Sequence, residues 1–273
     1  MKKILVLAAG LVSGGLFQHP AAAAPLAARS IQTVYLPAGP GDGTAYRQAG
    51  LSFSRYAASL FLKARLAASG LSESVFYKAL TGYFNLCRQD KLGMDRAVLT
   101  IIDFHIPSVR KRLWVIDLNA GRLLLHTWVA HGQGSGKQQA RRFSNHMGSH
   151  ESSLGFYLTG EPYQGEHGTS LKLIGLDPGF NSDAAARHIV IHPADYVTPS
   201  FIQQYGYLGR SFGCPAVPPG ISDSLIQTIQ GRTLLFIDGP DPRYHSRYLN
   251  RRQAALAAEK LLSRRQSDSS GQD

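Results

Sequence analysis

Apolar residues recur every three to four positions at Phe53, Ala57, Leu60, Phe61, Ala64 and Ala67, and again at Val75, Phe76, Ala79, Leu80, Tyr83 and Phe84. At 3.6 residues per turn each set lies along one helix face, so the spacing predicts two amphipathic helices that pack on the remainder of the chain. Ser69-Gly70 separates them, Ser72 gives the second an N-cap, and Glu73 makes its first turn acidic. From Ala97 the pattern shortens to β-type runs at 97–104, 112–118, 122–131, 155–159, 170–176, 188–192 and 233–238. The stretch Asp117 to Arg122 reads as the turn of a hairpin. In the strand after it, Leu123, Leu125, Thr127 and Val129 alternate with Leu124, His126, Trp128 and Ala130, which predicts unequal cover on its two faces. Short helices are expected at 181–187, 199–205 and 219–230. The fold class that results is mainly β with short helices (α+β), the sheet being mostly antiparallel.

The ends of the chain differ from its middle. Lys2-Lys3, an apolar run from Ile4 to about Phe17 and the small residues Ala21 to Ala24 predict a secretory signal peptide over 1–23, cut after Ala23. Its apolar part is too short to span a bilayer. Residues 24–50, rich in Ala, Gly and Pro, read as a linker or flexible arm, 51–96 as an N-terminal helical region, 97–240 as the β-domain and 241–273 as a basic helix and tail. The signal peptide predicts a periplasmic protein. With 29 basic against 18 acidic residues the formal net charge is +11. That balance favours an anionic partner; outside the cytoplasm this means wall polymer, peptide carboxylates or a membrane surface rather than nucleic acid. The basic residues after Asp241 suit a solvated helix, with wall or membrane contact as the alternative.

The candidate chemistry centres on Cys214, in the run Gly209-Arg210-Ser211-Phe212-Gly213-Cys214-Pro215-Ala216-Val217. A thiol attacks as thiolate and needs a base or cation beside it. His192 ends the apolar run 188–191, at a strand terminus where its ring can face a cleft. Pro215 biases Cys214 toward extended backbone, and the amides around Gly213 and Cys214 are natural oxyanion donors. The second cysteine, Cys87, falls on a helical stripe with Phe76, Leu80 and Phe84 and reads as a core thiol. A Cys87–Cys214 disulfide would consume the only plausible nucleophile.

Ile191-His192 followed by Ser211-Phe212-Gly213-Cys214 resembles the YkuD-type L,D-transpeptidase catalytic domain, and within it the murein subfamily with an aromatic residue before Gly-Cys-Pro. Further blocks carry the resemblance: Arg112 to Leu118, Ala130-His131-Gly132, Phe143-Ser144-Asn145, Ser152 to Gly155, His167 to Leu171 and Gly209-Arg210-Ser211. It implies an L,D-transpeptidase-type β-sandwich, with Cys214 as acyl-accepting nucleophile, His192 as general base and then acid, Gly213 in the oxyanion site, and the carbonyl of Pro193 orienting the imidazole. Arg210, Ser211, Phe212, His131, Gly132, His167 and Asn145 are the expected substrate-binding residues. Phe212 stands where the wider family has His, and Ala216 where Arg or Asn often follows the Cys, which leaves Arg210 as a candidate carboxylate ligand.

No cofactor and no metal are expected. His146 and His150 have helical ligand spacing, but Met147-Gly148-Ser149 between them argues against a helix, and the Gly132–Gly136 run lacks the Lys-Ser/Thr of a phosphate loop. The expected activity is cross-linking or modification of peptidoglycan stem peptides through a thioester. The alternatives are an L,D-carboxypeptidase of the same fold, a zinc-dependent wall peptidase, or a non-catalytic wall-binding protein.

Overall fold

Two helices, α1 (Gly43–Lys63) and α2 (Glu73–Arg88), present aromatic faces to each other and to a sheet, with Phe84 meeting Phe53 at 5.7 Å and Tyr56 at 5.9 Å between ring centroids. The computed structural model describes residues 43–92 and 96–270, with side chains described for 44–92 and 96–264. The expected signal peptide lies outside the described residues, as does the arm up to residue 42. Residues 43–50, read from sequence as part of that arm, form the first two turns of α1, where Ala49 is buried.

The sheet comprises β1 (Val98–Asp103), β2 (Leu113–Asp117), β3 (Arg122–Thr127), β4 (Gly155–Gly165), β5 (Gly168–Gly175), β6 (Val190–Pro193), β7 (Ala216–Val217) and β8 (Leu234–Asp238). Their order is β3-β2-β1-β8-β4-β5-β6-β7. Most pairs are antiparallel, as expected, but β1 with β8 and β6 with β7 run parallel. Central strands are covered on both faces. Leu99, Ile101, Trp114, Ile116, Phe156, Leu158, Leu234 and Phe236 face the helices, in one core with Cys87. Their neighbours Ile102, Leu113, Val115, Tyr157, Leu235 and Ile237 belong to a second core. That core also holds Leu171, Leu173, Ile191 and Val217 of β5 to β7 and Leu225, Ile226 and Ile229 of α4 (Pro219–Ile229). One core is therefore lined by both halves of the sheet, which curls over it. The curl brings the outer edges together: beyond β3, Ala130 bridges Ala216 of β7 and Gly132 bridges Ser211.

A short helix α3 (Pro199–Tyr205) is capped by Thr198, whose Oγ1 accepts the Phe201 amide at 3.2 Å. Residues 181–187, expected as a helix, instead form a series of turns ending at His188 with φ 55°. The C-terminal helix α5 (Arg251–Ser270) packs on α1 and α2. Its buried side is made of Ala254, Ala255, Ala257 and Ala258, while Leu256 is exposed. Small side chains let α5 sit close to its neighbours, and Arg251 and Arg252 lie over the rings of Tyr77 and Tyr46. No helix among the described residues is long and apolar enough to cross a membrane.

Candidate active site

The seam where the sheet edges meet carries the turn of Cys214. On one side Ser211 N–H donates to His131 O at 3.1 Å and Gln133 N–H to Ser211 O at 2.8 Å; on the other, β7 pairs with β6, placing Ala216 opposite His192. Cys214 thus stands two residues before the register partner of His192.

The turn is fixed by hydroxyls. Ser211 Oγ donates to the Cys214 carbonyl at 2.6 Å and accepts the Gly213 amide at 3.1 Å. Ser152 Oγ accepts the Gly132 amide at 3.0 Å and donates to the Gly213 carbonyl at 3.1 Å. Gly213 has φ 125°, a conformation that favours glycine, and a Cβ there would lie 2.9 Å from the Glu151 carbonyl. Because the Gly213 amide is engaged by Ser211, the amide left without an acceptor among the described residues is that of Cys214, in the same peptide unit as the carbonyl that Ser152 holds.

The thiol itself is partly buried and faces the start of β6. Sγ accepts from the Val190 amide at 3.4 Å and donates toward the His188 carbonyl at 3.5 Å. Burial pushes the Cys214 thiol above its ordinary value, opposed by the Val190 amide and the Arg187 charge. His192 is buried, with Nδ1 2.9 Å from the Pro193 carbonyl. In the neutral ring Nδ1 therefore carries the proton and Nε2 is the base. Burial holds the imidazole below its ordinary value, the Pro193 carbonyl raises it, and the charge of His167 lowers it again. Among the described residues no hydrogen bond joins the Cys214 and His192 side chains, and burial works against the charged form of each.

His167 occupies the two-residue turn of the β4–β5 hairpin and leans over His192, ring centroids 5.0 Å apart. Phe212 is 68% exposed beside the thiol, and its ring stacks on His150 at 4.5 Å.

Residues 67–237 match the family described as the L,D-transpeptidase catalytic domain. The chain belongs to that family. Similar solved structures include an L,D-transpeptidase from Mycobacterium smegmatis, at 11% identity over 52% of this chain and 58% of that one, with a TM-score of 0.33. The helical cell shape determining protein of Campylobacter jejuni is 14% identical over 61% and 54%, with a TM-score of 0.37. An L,D-transpeptidase from Stackebrandtia nassauensis is 12% identical over 69% and 93%, with a TM-score of 0.33. The chain spans less than two thirds of the length of the first two. No curated protein matches it.

Within this L,D-transpeptidase-type fold, three residues expected at the substrate are engaged elsewhere. His131 is fully buried: Arg112 Nη2 donates to its Nδ1 at 2.8 Å, so Nε2–H faces the Gly136 carbonyl at 3.3 Å, and burial pushes the ring to about 3. In this arrangement it braces the interior. Asn145 is buried too, its amide donating to Ser182 Oγ at 3.1 Å and accepting the Asp183 amide at 3.0 Å. Arg210 donates to the Gly136 carbonyl at 3.2 Å and lies over Tyr207, 5.6 Å from its centroid. Gly132 packs its backbone against that of Gly213.

Ser152, His150 and Arg187 also belong to the site, and the sequence assigns none of them a part in it. Ser152 is legible there only as a member of a family block, and Arg187 as the end of an expected helix. His150 has φ 53° and its Nδ1 lies 3.0 Å from Gln133 Nε2, so it serves the Phe212 rim. Among the described residues no group of three His, Cys, Asp or Glu side chains is placed to hold a metal ion. Cys87 and Cys214 lie on opposite faces of the sheet and are not joined by a disulfide.

Proposed function

We propose that this family member is a peptidoglycan L,D-transpeptidase of the periplasm in which Cys214 is the nucleophile. One observation carries the assignment: the partly buried thiol sits in a turn whose peptide is clamped by Ser211 and Ser152, one strand from a neutral histidine with its Nε2 left as base. In the donor stem, by family resemblance, the scissile carbonyl is that of the L-centre of meso-diaminopimelate. His192 Nε2 takes the Cys214 proton as Sγ turns toward it. The thiolate adds to the carbonyl, and the oxyanion accepts the Cys214 amide, which Ser152 holds in place through the Gly213 carbonyl. Collapse breaks the C–N bond, and His192 returns the proton to the departing D-amino acid amine, leaving a thioester on Sγ. An amine of a neighbouring stem then attacks the thioester, gives its proton to His192, and forms the new amide as the thiol is released. His192 contributes about 10²- to 10⁴-fold as general acid and base.

The proposed substrate surface is Phe212 stacked on His150, with Gly132 beside the His150 backbone and His167 over His192, the net positive charge of the chain favouring a carboxylate-rich stem. Arg210, committed to Gly136 and Tyr207, contributes to that field and not as a direct ligand.

The test is mass spectrometry of the products from a defined tetrapeptide muropeptide, together with carbapenem labelling. Wild type gives cross-linked dimer and a thioester-type adduct on Cys214. Cys214→Ala gives neither. Turnover retained by Cys214→Ala overturns the assignment; tripeptide as the sole product makes the enzyme an L,D-carboxypeptidase.

A further inference from the structure

Arg187 lies at the end of the turns that lead into β6, and its guanidinium is half-buried. Nη1 donates to the Ser144 carbonyl and to Ser153 Oγ, each at 2.6 Å; Nη2 donates to the Glu151 carbonyl at 2.6 Å and to Ser149 Oγ at 3.2 Å. All four acceptors are neutral oxygens. Among the described residues no carboxylate lies within ion-pair distance of Arg187, and Asp183 and Glu151 act on it only from further away. A cation removed from water in this way is held by its hydrogen bonds while its charge stays unmatched.

The unmatched charge is aimed at the Cys214 turn. A Cβ on Gly213 would stand 3.2 Å from Arg187 Nη2 and 2.9 Å from the Glu151 carbonyl, so the guanidinium and the loop it holds close directly over the residue before the nucleophile. With two hydrogen bonds on each Nη nitrogen already made to the 144–153 loop, those nitrogens are not offered to a substrate carboxylate. What the arginine provides is a fixed positive charge beside the sulfur.

We propose that Arg187 is the counter-charge of the Cys214 thiolate: it ties the 144–153 loop over the Cys214 turn and lowers the cost of ionising a partly buried thiol. The proposal rests on Cys214 being the nucleophile. It makes Arg187 a positioning residue, acting through Cys214. His192 removes the proton, but its imidazolium then gives that proton up to the departing amine, whereas a guanidinium stays charged throughout. Of the causes acting on the thiol, Arg187 is the charged group that favours ionisation, against burial.

The other titratable groups around the sulfur do not supply this charge. Tyr196, after β6, is itself pushed up to about 12 by burial and by the Cys214 charge. His192, on β6, is held below its ordinary value. The loop that Arg187 holds brings Glu151, whose carboxylate sits 3.4 Å from Arg142 Nε, and His150, which stacks on Phe212.

The test is the pH dependence of iodoacetamide alkylation of Cys214 in the full mature chain, read by peptide mass mapping so that Cys87 does not contribute. In Arg187→Gln the alkylation midpoint moves to higher pH, and the rate at pH 7.5 falls by about tenfold while the limiting rate at high pH is kept. In Arg187→Lys, which keeps the charge but loses the fork, the midpoint stays near that of wild type although thermal stability falls. A folded Arg187→Gln with an unchanged midpoint overturns the proposal, as does a folded Arg187→Lys shifted as far as the Gln variant. Should Arg187→Gln not fold, the Lys variant decides: a retained midpoint supports the counter-charge and a raised one overturns it. A wild-type Cys214 that resists alkylation at every pH overturns the nucleophile assignment itself, a different failure.

Discussion

Ser152 Oγ donates to the carbonyl of Gly213 at 3.1 Å, and through that one peptide unit it fixes the direction of the Cys214 amide. The same hydroxyl accepts from Gly132, so it joins the two edges of the curled sheet at the point where the thiol emerges. Replacing Ser152 with Ala leaves the Gly213 carbonyl and the Gly132 amide without this partner and frees the peptide to rotate. In the proposed mechanism kcat falls and KM changes little, because the interaction is realised at the oxyanion. The loss is smaller than the about 10²- to 10³-fold produced by outright removal of a donor, since the amide remains. Stopped-flow acylation of Ser152→Ala by a carbapenem measures it, and a wild-type acylation rate in the folded variant refutes the role.

The directions in which His192 and Cys214 are shifted give the proposed mechanism a pH profile. In that mechanism His192 acts only when unprotonated, and burial chiefly holds its value below 6.5, so kcat/KM rises with pH through that lowered value and has levelled by neutrality. Burial raises the Cys214 thiol above its ordinary value, so the proposed mechanism has His192 remove its proton across the plateau. His167 is one of the groups holding His192 down. In His167→Ala the acidic limb of the kcat/KM profile therefore moves toward higher pH. An acidic limb at or above 6.5 in wild type, or no movement in His167→Ala, contradicts this account.

Strand positions were the most legible part of the fold, because two-sided burial forces long apolar runs such as Val98 to Ile102 and Leu234 to Ile237. The two-residue strand β7 left no periodicity to read, and the closure of Ala130 on Ala216 is a tertiary contact between positions far apart in the chain. Helix α5 was read through its basic residues, whereas close packing selected its alanines. At the site, Cys214 and His192 were legible from residue type and neighbours, and the Pro193 carbonyl from its place after the histidine. His131 and Asn145 were expected at the substrate from the family blocks that hold them, and their burial and their partners, Arg112 and the 181–187 turns, are tertiary contacts that the sequence does not show. Arg187 was invisible for a similar reason: its partners are backbone carbonyls and serines, which leave no charge pattern in the sequence.

Gly82 gives a stability test of the contact between α2 and the sheet. It lies within α2, where glycine costs about 1 kcal/mol relative to alanine. Judged on the helix alone, Gly82→Ala stabilises. The added methyl, however, overlaps three atoms of the Phe156 ring. That ring is fully buried, stacked on Phe236 at 4.4 Å and edge-on to Tyr248 at 5.9 Å, so it has no free direction in which to withdraw. Overpacking of this kind costs about 1–3 kcal/mol. The clash outweighs the helical gain at a rigid site, and Gly82→Ala lowers the urea midpoint with m unchanged. Trimming the ring in Gly82→Ala/Phe156→Leu recovers part of the loss relative to Phe156→Leu alone, because the cavity then accepts the methyl. A Gly82→Ala single variant as stable as wild type, or more so, shows instead that α2 can shift away from the sheet at little cost.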